Sequence, residues 1–484
     1  ADTAADAMTE SASPSPAKTA TATATASGDS SADSTTDANQ GQSNSDIVAS
    51  TGSMAIATLI SRITGFLRNL LIGATLGPAV ASAFNVANTL PNLITEIVLG
   101  AVLTSLVVPV LVRAEKEDPD HGAAFIRRLL TVSMTLLAVV TVLAVIGAPL
   151  LTRLSLNEAG KVNVPLATSF AFLLLPQIIF YGIFALLMAV LNTKGIFKPG
   201  AWAPVANNVV AIAPLLLYLF LPGQLSPDSD GSLSDPHILL LGLGTTLGVV
   251  IQAAIMIPYL KRAGIDLRPL WGIDDRIKQF TGMGVAIVTY VAISQAGYFI
   301  TTNIASTASK AAPTIYQQAW LLLQVPYGII GVTLLTAIMP RLSRNAADGN
   351  DGAVVRDLSI GTRLTMIALV PIVAFFTAFG RPIAVGLFAY LEFPRETAEI
   401  LGWTLSFSAF SLIPYAIVLL HLRVFYAREE AWTPTFIILG ITTVKVILSF
   451  FAPRLASDDE TVVVLLGAAN GFGFVAGAVI GLSL

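Results

Sequence analysis

The sequence predicts an all-α polytopic membrane protein: two six-helix lobes related by a parallel internal repeat around a central cavity. Three observations carry this. Hydrophobic residues fill 54% of the 484 positions and mean hydropathy is +0.76, while charged residues make up 12%, about half the roughly 25% of a soluble chain. About twelve apolar runs reach the ~20 residues needed to cross a bilayer. Segments of the first half recur in the second about 231 positions later. So few charges cannot cover soluble domains, which excludes a cytosolic enzyme, a nucleic-acid binder and a secreted domain. The chain has no cysteine, so disulfides, thiolate metal sites and cysteine nucleophiles are excluded. His121, His237 and His421 are too scattered for a metal site. There is no P-loop and no pair of carboxylates within a span, so neither ATP-driven pumping nor a cofactor is expected.

Residues 1–46 are an Ala/Ser/Thr/Asp-rich tail with seven acids against one base, Lys18. Such a segment buries too little to offset its ordering entropy, and it is expected to be disordered and cytoplasmic. The N-lobe, 47–262, holds apolar runs at 49–76, 81–112, 124–153, 163–192, 200–222 and 237–261. The C-lobe, 263–484, holds runs at 279–307, 312–341, 360–388, 397–426, 433–453 and 460–484. These are continuous, not the short alternating segments of a β-barrel. With the N-terminus inside, the cytoplasmic connections and helix ends carry seventeen Lys and Arg, and the outer ones six. That asymmetry fits a multi-pass protein of the plasma membrane with a cytoplasmic N-terminus.

The repeat is visible in three places. Ile60-Ser61-Arg62 with Phe66 recurs as Ile293-Ser294-Gln295 with Phe299; GAVLTSLVVPVLVR from Gly100 recurs as GVTLLTAIMPRLSR from Gly331; Ala201-Trp202-x-Pro204 recurs as Ala431-Trp432-x-Pro434. Six helices per half is an even number, so both halves enter the membrane in the same direction. The repeat axis then lies along the membrane normal with a cavity between lobes.

Ionisable residues within spans are costly and face protein or water. The first span carries Arg62 and Arg68, with Asn69 beside the latter. The second carries Asn85, Asn88, Asn92 and Glu96, whose spacings of 3, 4 and 4 align them on one helical face. Pro91 within the stripe should kink the helix. Guanidinium forks suit phosphate oxygens, so one reading is a hydrophilic cavity for an anionic headgroup. The other is structural, with Glu96 neutralising Arg62 and the asparagines bonding neighbouring helices. The second lobe offers Gln295, Tyr298, Gln317 and Gln324, with the glutamines also candidates for helix–helix bonds. Lys445 either faces the cavity or snorkels.

SRITGFLRN at 61–69, LPNL at 90–93, LNTKGIFKPGAWAP at 191–204, VPYGIIGVTLLTAIMPRLSR at 325–344 and FYAREEAWTP at 425–434 together resemble the MurJ/MviN family of lipid II flippases. That family lies in the multidrug/oligosaccharidyl-lipid/polysaccharide exporter superfamily, and the substitutions and tail look actinobacterial. The resemblance runs from about Ser53 to the end. It implies two six-helix lobes in a V, working by alternating access. The implied cargo is lipid II, an undecaprenyl-pyrophosphate-linked disaccharide-pentapeptide, carried from the inner to the outer leaflet for peptidoglycan synthesis. Membrane lipids and cell-wall synthesis proteins are the implied partners, with no covalent chemistry. The family's first-helix arginines, Arg62 and Arg68 here, would hold the pyrophosphate, and Asn69, Asn85, Asn88, Asn92, Glu96, Gln295 and Gln324 complete the candidate substrate site. The chain departs from the Gram-negative pattern at Asn69, Thr95-Glu96, Leu321 and Gln324. Twelve helices rather than fourteen imply that family helices 13 and 14 are missing. The alternatives are a polysaccharide-lipid flippase, a drug exporter, and a non-transporting cell-wall scaffold.

Overall fold

In hydrocarbon every backbone N–H and C=O must be bonded within its own segment, so long apolar runs become helices. The structure of the chain, a computed structural model, describes residues 36–100, 108–156, 160–273, 281–427 and 432–484. Among them the N-lobe contains α1 (Thr36–Leu76), α2 (Pro78–Thr95), α3 (Val108–Glu117), α4 (Ala123–Ile146), α5 (Ala148–Ser155), α6 (Val164–Leu174), α7 (Gln177–Thr193), α8 (Lys198–Phe220) and α9 (Pro236–Arg262). The C-lobe contains α10 (Thr281–Ala308), α11 (Ala312–Ala347), α12 (Asp351–Phe388), α13 (Arg395–Ser408), α14 (Leu412–Ala427), α15 (Trp432–Leu455) and α16 (Val462–Ser483). The described residues form no β-strand.

Nine of these helical stretches are long and apolar enough to cross a membrane, or ten when α6 and α7, bent by 43°, count as one span. The other two of the twelve expected runs are filled by α2 and α11. They are counterparts in the repeat, and both carry polar side chains. Helix α1 begins at Thr36, inside the stretch expected to be disordered. Thr36 and Asp37 are good helix-start residues, and extending an existing helix costs far less than nucleating one. Residues 1–35 of the tail lie outside the described residues, as do Arg276, Lys278 and Arg428 of the charge count and the side chains of Arg113, Arg341, Arg344 and Arg423.

Helix pairing repeats between the lobes. In the N-lobe α1 packs on α8 and α8 on α9; in the C-lobe the equivalent α10 packs on α15 and α15 on α16. Each lobe has its own apolar core. Phe84, Phe170 and Tyr218 lie in the first, Tyr290, Tyr415 and Phe474 in the second. Between them, residues 263–273 are tied to the N-lobe: Arg127 Nε donates to the Arg268 carbonyl at 3.0 Å and the Leu270 amide to Thr131 Oγ1 at 2.9 Å. Arg268 in turn bonds Asp266 at 2.7 Å and pulls its carboxyl down to about 2.

One irregularity breaks the correspondence. Ser82, Asn85 and Asn92 match Thr314, Gln317 and Gln324 at an offset of 232, but Gly100 matches Gly331 at 231. The first copy therefore holds one extra residue between Asn92 and Gly100. There α2 gives way to a π-helical turn, Glu96–Gly100, whereas α11 runs on as α-helix. A π turn is the usual way a helix absorbs a single inserted residue.

Helices α12 and α13 touch backbone to backbone at Gly402, where a Cβ would collide with Arg381 Cα and lie 2.9 Å from its nitrogen. No rotamer change relieves that clash. Gly402→Ala is therefore expected to cost about 1–3 kcal/mol, seen as a lower thermal midpoint in detergent. Gly386→Ala, whose Cβ meets nothing within 4 Å, should show no such drop.

Candidate functional site

The reversal from α1 to α2 turns on Gly77, whose φ of 78° is open to glycine at little cost. It sets the arginine-bearing and asparagine-bearing helices side by side. The same end of the bundle carries most of the hydrogen bonds seen between the lobes. The Glu392 amide donates to the Ala74 carbonyl at 2.9 Å and the Lys161 amide to that of Ser306 at 2.7 Å. Lys161 pairs with Asp459 at 2.9 Å and Lys310 with Asp228 at 3.2 Å. Deeper in, Ser82 Oγ and Thr314 Oγ1 lie 2.6 Å apart, with Thr314 Oγ1 also donating to the Pro78 carbonyl. Being repeat counterparts, Ser82 and Thr314 meet on the pseudo-twofold axis.

Contacts across the seam between the lobes are seen for two of the sequence-predicted residues, Arg62 and Asn69. Arg62 is half-buried, and its guanidinium reaches across to Gly328 of α11, where a Cβ would stand 2.8 Å from Nη1 and 3.0 Å from Cζ. Arg68 leaves α1 about 9 Å further along and about 120° around, so the two arginines do not share a face. Its Nε is buried without a hydrogen-bond partner. Asn69 is occupied: its Nδ2 donates to the Gly65 carbonyl at 2.9 Å, and its own carbonyl accepts from Gln318 Nε2 at 3.0 Å. On α2, Asn85 and Asn88 are buried, with Nδ2 of the first and Oδ1 of the second unbonded. Asn92 and Glu96 are half-buried, Glu96 opening the π turn. Thr89 meets Tyr298 across the seam at 3.5 Å.

The second lobe contributes less than its sequence offers. Gln295 is buried on α10. Gln324 is turned to the C-lobe interior, where its Oε1 accepts from Tyr415 at 3.4 Å while Nε2 stays unbonded. Lys445 does not snorkel; it is 8% exposed and lies 5.9 Å from the Tyr316 ring centroid. Among the described residues no three His, Asp or Glu come together as a metal site.

Reasoning from sequence missed Asn208, Gln318 and Gly328. Asn208 Nδ2 donates to the Ser61 carbonyl at 3.0 Å and to Thr64 Oγ1 at 3.1 Å, which fixes the rotation of α1 beside Arg62. Gln318 is buried, bonds α1 and keeps a free Oε1. No local pattern marks these residues. The one available signal was that Ser82 and Thr314 occupy the same place in the repeat.

Comparison with known proteins places this geometry in a family. A family model described as "Lipid II flippase MurJ" matches residues 71–484. The lipid II flippase MurJ of Burkholderia cenocepacia is 27% identical over 428 residues, covering 85% of this chain and 79% of its own. Among solved structures, a lipid II flippase MurJ in an inward closed conformation superposes with a TM-score of 0.72 at 18% identity, covering 89% of this chain and 86% of that one. A multidrug resistance transporter of the MATE family in an inward-facing conformation also reaches 0.72, at 15% identity, with 89% and 97% covered.

Because the chain has no cysteine, the contact on the axis can be tested cleanly. Ser82→Cys with Thr314→Cys should oxidise to a disulfide under mild conditions, read as loss of both alkylatable thiols. Two free thiols after oxidation would place the lobes further apart than described.

Proposed function

We propose a function from one premise: this chain belongs to the MurJ family of lipid II flippases, which are transporters and not enzymes. It moves lipid II across the bilayer, with no bond made or broken. Two observations support the reading: Arg62 is held across the seam at Gly328, and Arg68, Asn85, Asn88 and Gln318 each keep a buried polar atom without a hydrogen-bond partner. An unbonded buried polar atom costs about 1–3 kcal/mol, and a polar headgroup entering the seam would remove that cost. In this reading Arg62 and Arg68 take the pyrophosphate and Asn85, Asn88 and Asn92 take sugar and peptide groups. Glu96 shapes the charge at the mouth, and Asn69, Gln295 and Gln324 hold helices together.

The excess of Lys and Arg on one set of connections supports a cytoplasmic N-terminus. The Gly77 end then faces outward, and the contacts there close the outer side. Rocking the lobes apart at that end would deliver the cargo to the outer leaflet. Cell-wall enzymes that consume the delivered precursor are the natural partners. A drug exporter for cations should line its cavity with carboxylates, which the two seam arginines argue against.

Native mass spectrometry in nanodiscs tests the assignment. Arg62→Ala and Arg68→Ala should each weaken lipid II binding roughly ten- to hundredfold, the loss expected for a charged contact of about 1.5–3 kcal/mol. A lipid lacking pyrophosphate should be unaffected. Equal binding of lipid II by all three proteins would sink the headgroup reading. Gly328→Ala keeps every charge but pushes the Arg62 guanidinium off its seat, so it should lower affinity by less than Arg62→Ala while leaving thermal stability near wild type.

A further inference from the structure

Outside the seam the Gly77 end holds a cavity of about 690 Å³, lined by Arg153, Lys161, Asp228 and Asp230 of the N-lobe and by Lys310 of the C-lobe. That volume suits a ligand of several residues. Its wall is built rigidly. Asn163 caps α6 through the Leu166 amide and donates Nδ2 to the Pro227 and Ser229 carbonyls at 3.1 and 2.7 Å. Ser169 Oγ donates to the Gly231 carbonyl. Gly231 has a φ of 72°, and a Cβ there would lie 2.5 Å from the Pro165 carbonyl oxygen, so the loop is pinned in one shape. Three cations and two carboxylates thus converge on a preformed pocket. Lys161 and Lys310 are engaged with Asp459 and Asp228, but both pairs are solvent-exposed and exchange readily for a competing anion. Asp230 is exposed and accepts the Ser232 amide, leaving its carboxylate open to an ammonium.

We propose that this pocket binds a short peptide bearing both carboxylate and ammonium groups, with Arg153, Lys161 and Lys310 taking the carboxylates and Asp230 the ammonium. The identity of the natural peptide rests on the function proposed above, whose cargo carries a pentapeptide that would emerge at this end. Because Lys310 comes from the opposite lobe, a peptide seated here ties the lobes together. It favours the state in which this end is closed, so delivered product slows further delivery.

The test uses the full chain in nanodiscs and a soluble pentapeptide with one free side-chain amine and free carboxylates. Saturable binding is expected, weakened about threefold or more by Lys310→Ala or Arg153→Ala, as for an exposed charged contact. Asp230→Asn should weaken the amine-bearing peptide but not its N-acetylated form. Peptide added at the outer face of proteoliposomes should slow lipid II flipping by the wild type and not by Lys310→Ala. No binding, or equal competition by inorganic phosphate alone, overturns the proposal. Flipping without peptide binding would defeat this pocket and leave the function standing; peptide binding without flipping would do the reverse.

Discussion

Inside a bilayer a polar atom has no water to turn to, so it is bonded by protein, by cargo, or by nothing. The rest of this molecule is organised around that constraint. Within the N-lobe the constraint is met side chain to side chain, with Asn207 of α8 donating to Gln252 of α9 at 2.7 Å. Polar groups that meet across the seam come from α1 and α2 on one side and from α10 and α11 on the other. Atoms bonded across the seam, such as Ser82 with Thr314 and Gln318 with the Asn69 carbonyl, hold the lobes together. Atoms left unbonded, on Arg68, Asn85 and Asn88, are those that a polar cargo would satisfy in the function proposed above.

Much of the frame was legible from sequence because it follows from local composition. Apolar run length sets the spans, and an even number per half sets the direction of the repeat. The stripe of Asn85, Asn88, Asn92 and Glu96 was legible for the same reason, since spacing alone puts it on one face. What spacing could not supply were contacts over long separations. Arg62 seats on Gly328, and Asn208 grips Ser61, through packing that no window of neighbouring residues encodes. For Gln324 and Lys445 hydropathy gave a depth and no direction; the structure turns one to Tyr415 and lays the other beside Tyr316. At Thr36–Asp46 composition alone predicts disorder, whereas the structure continues α1 through it, because composition ignores the helix it adjoins.

The charge distribution between lobes follows the same logic. Arg62 and Arg68 both sit on α1, and its counterpart α10 has Gln295 where α1 has Arg62. The opposite wall contributes Gly328, against which the Arg62 guanidinium rests, so in the function proposed above an anionic cargo would be gripped from one side. On that proposal one lobe would hold the cargo and the other would supply the surface against which the hold is made and released.

The π turn at Glu96–Gly100 bears on how such a division arises. Two identical copies make a container with two identical walls, and such a container cannot tell one end of an asymmetric molecule from the other. Inserting a residue into a plain α-helix would swing everything beyond it by about 100° and scramble the packing of the whole element. Confined to a wide turn, the insertion leaves the glycine, proline and arginine further on in step with their twins, and an acid sits where the twin has a glycine. A duplicated ancestor thus needs only one additional codon, placed where the helix can bulge, to acquire a front and a back.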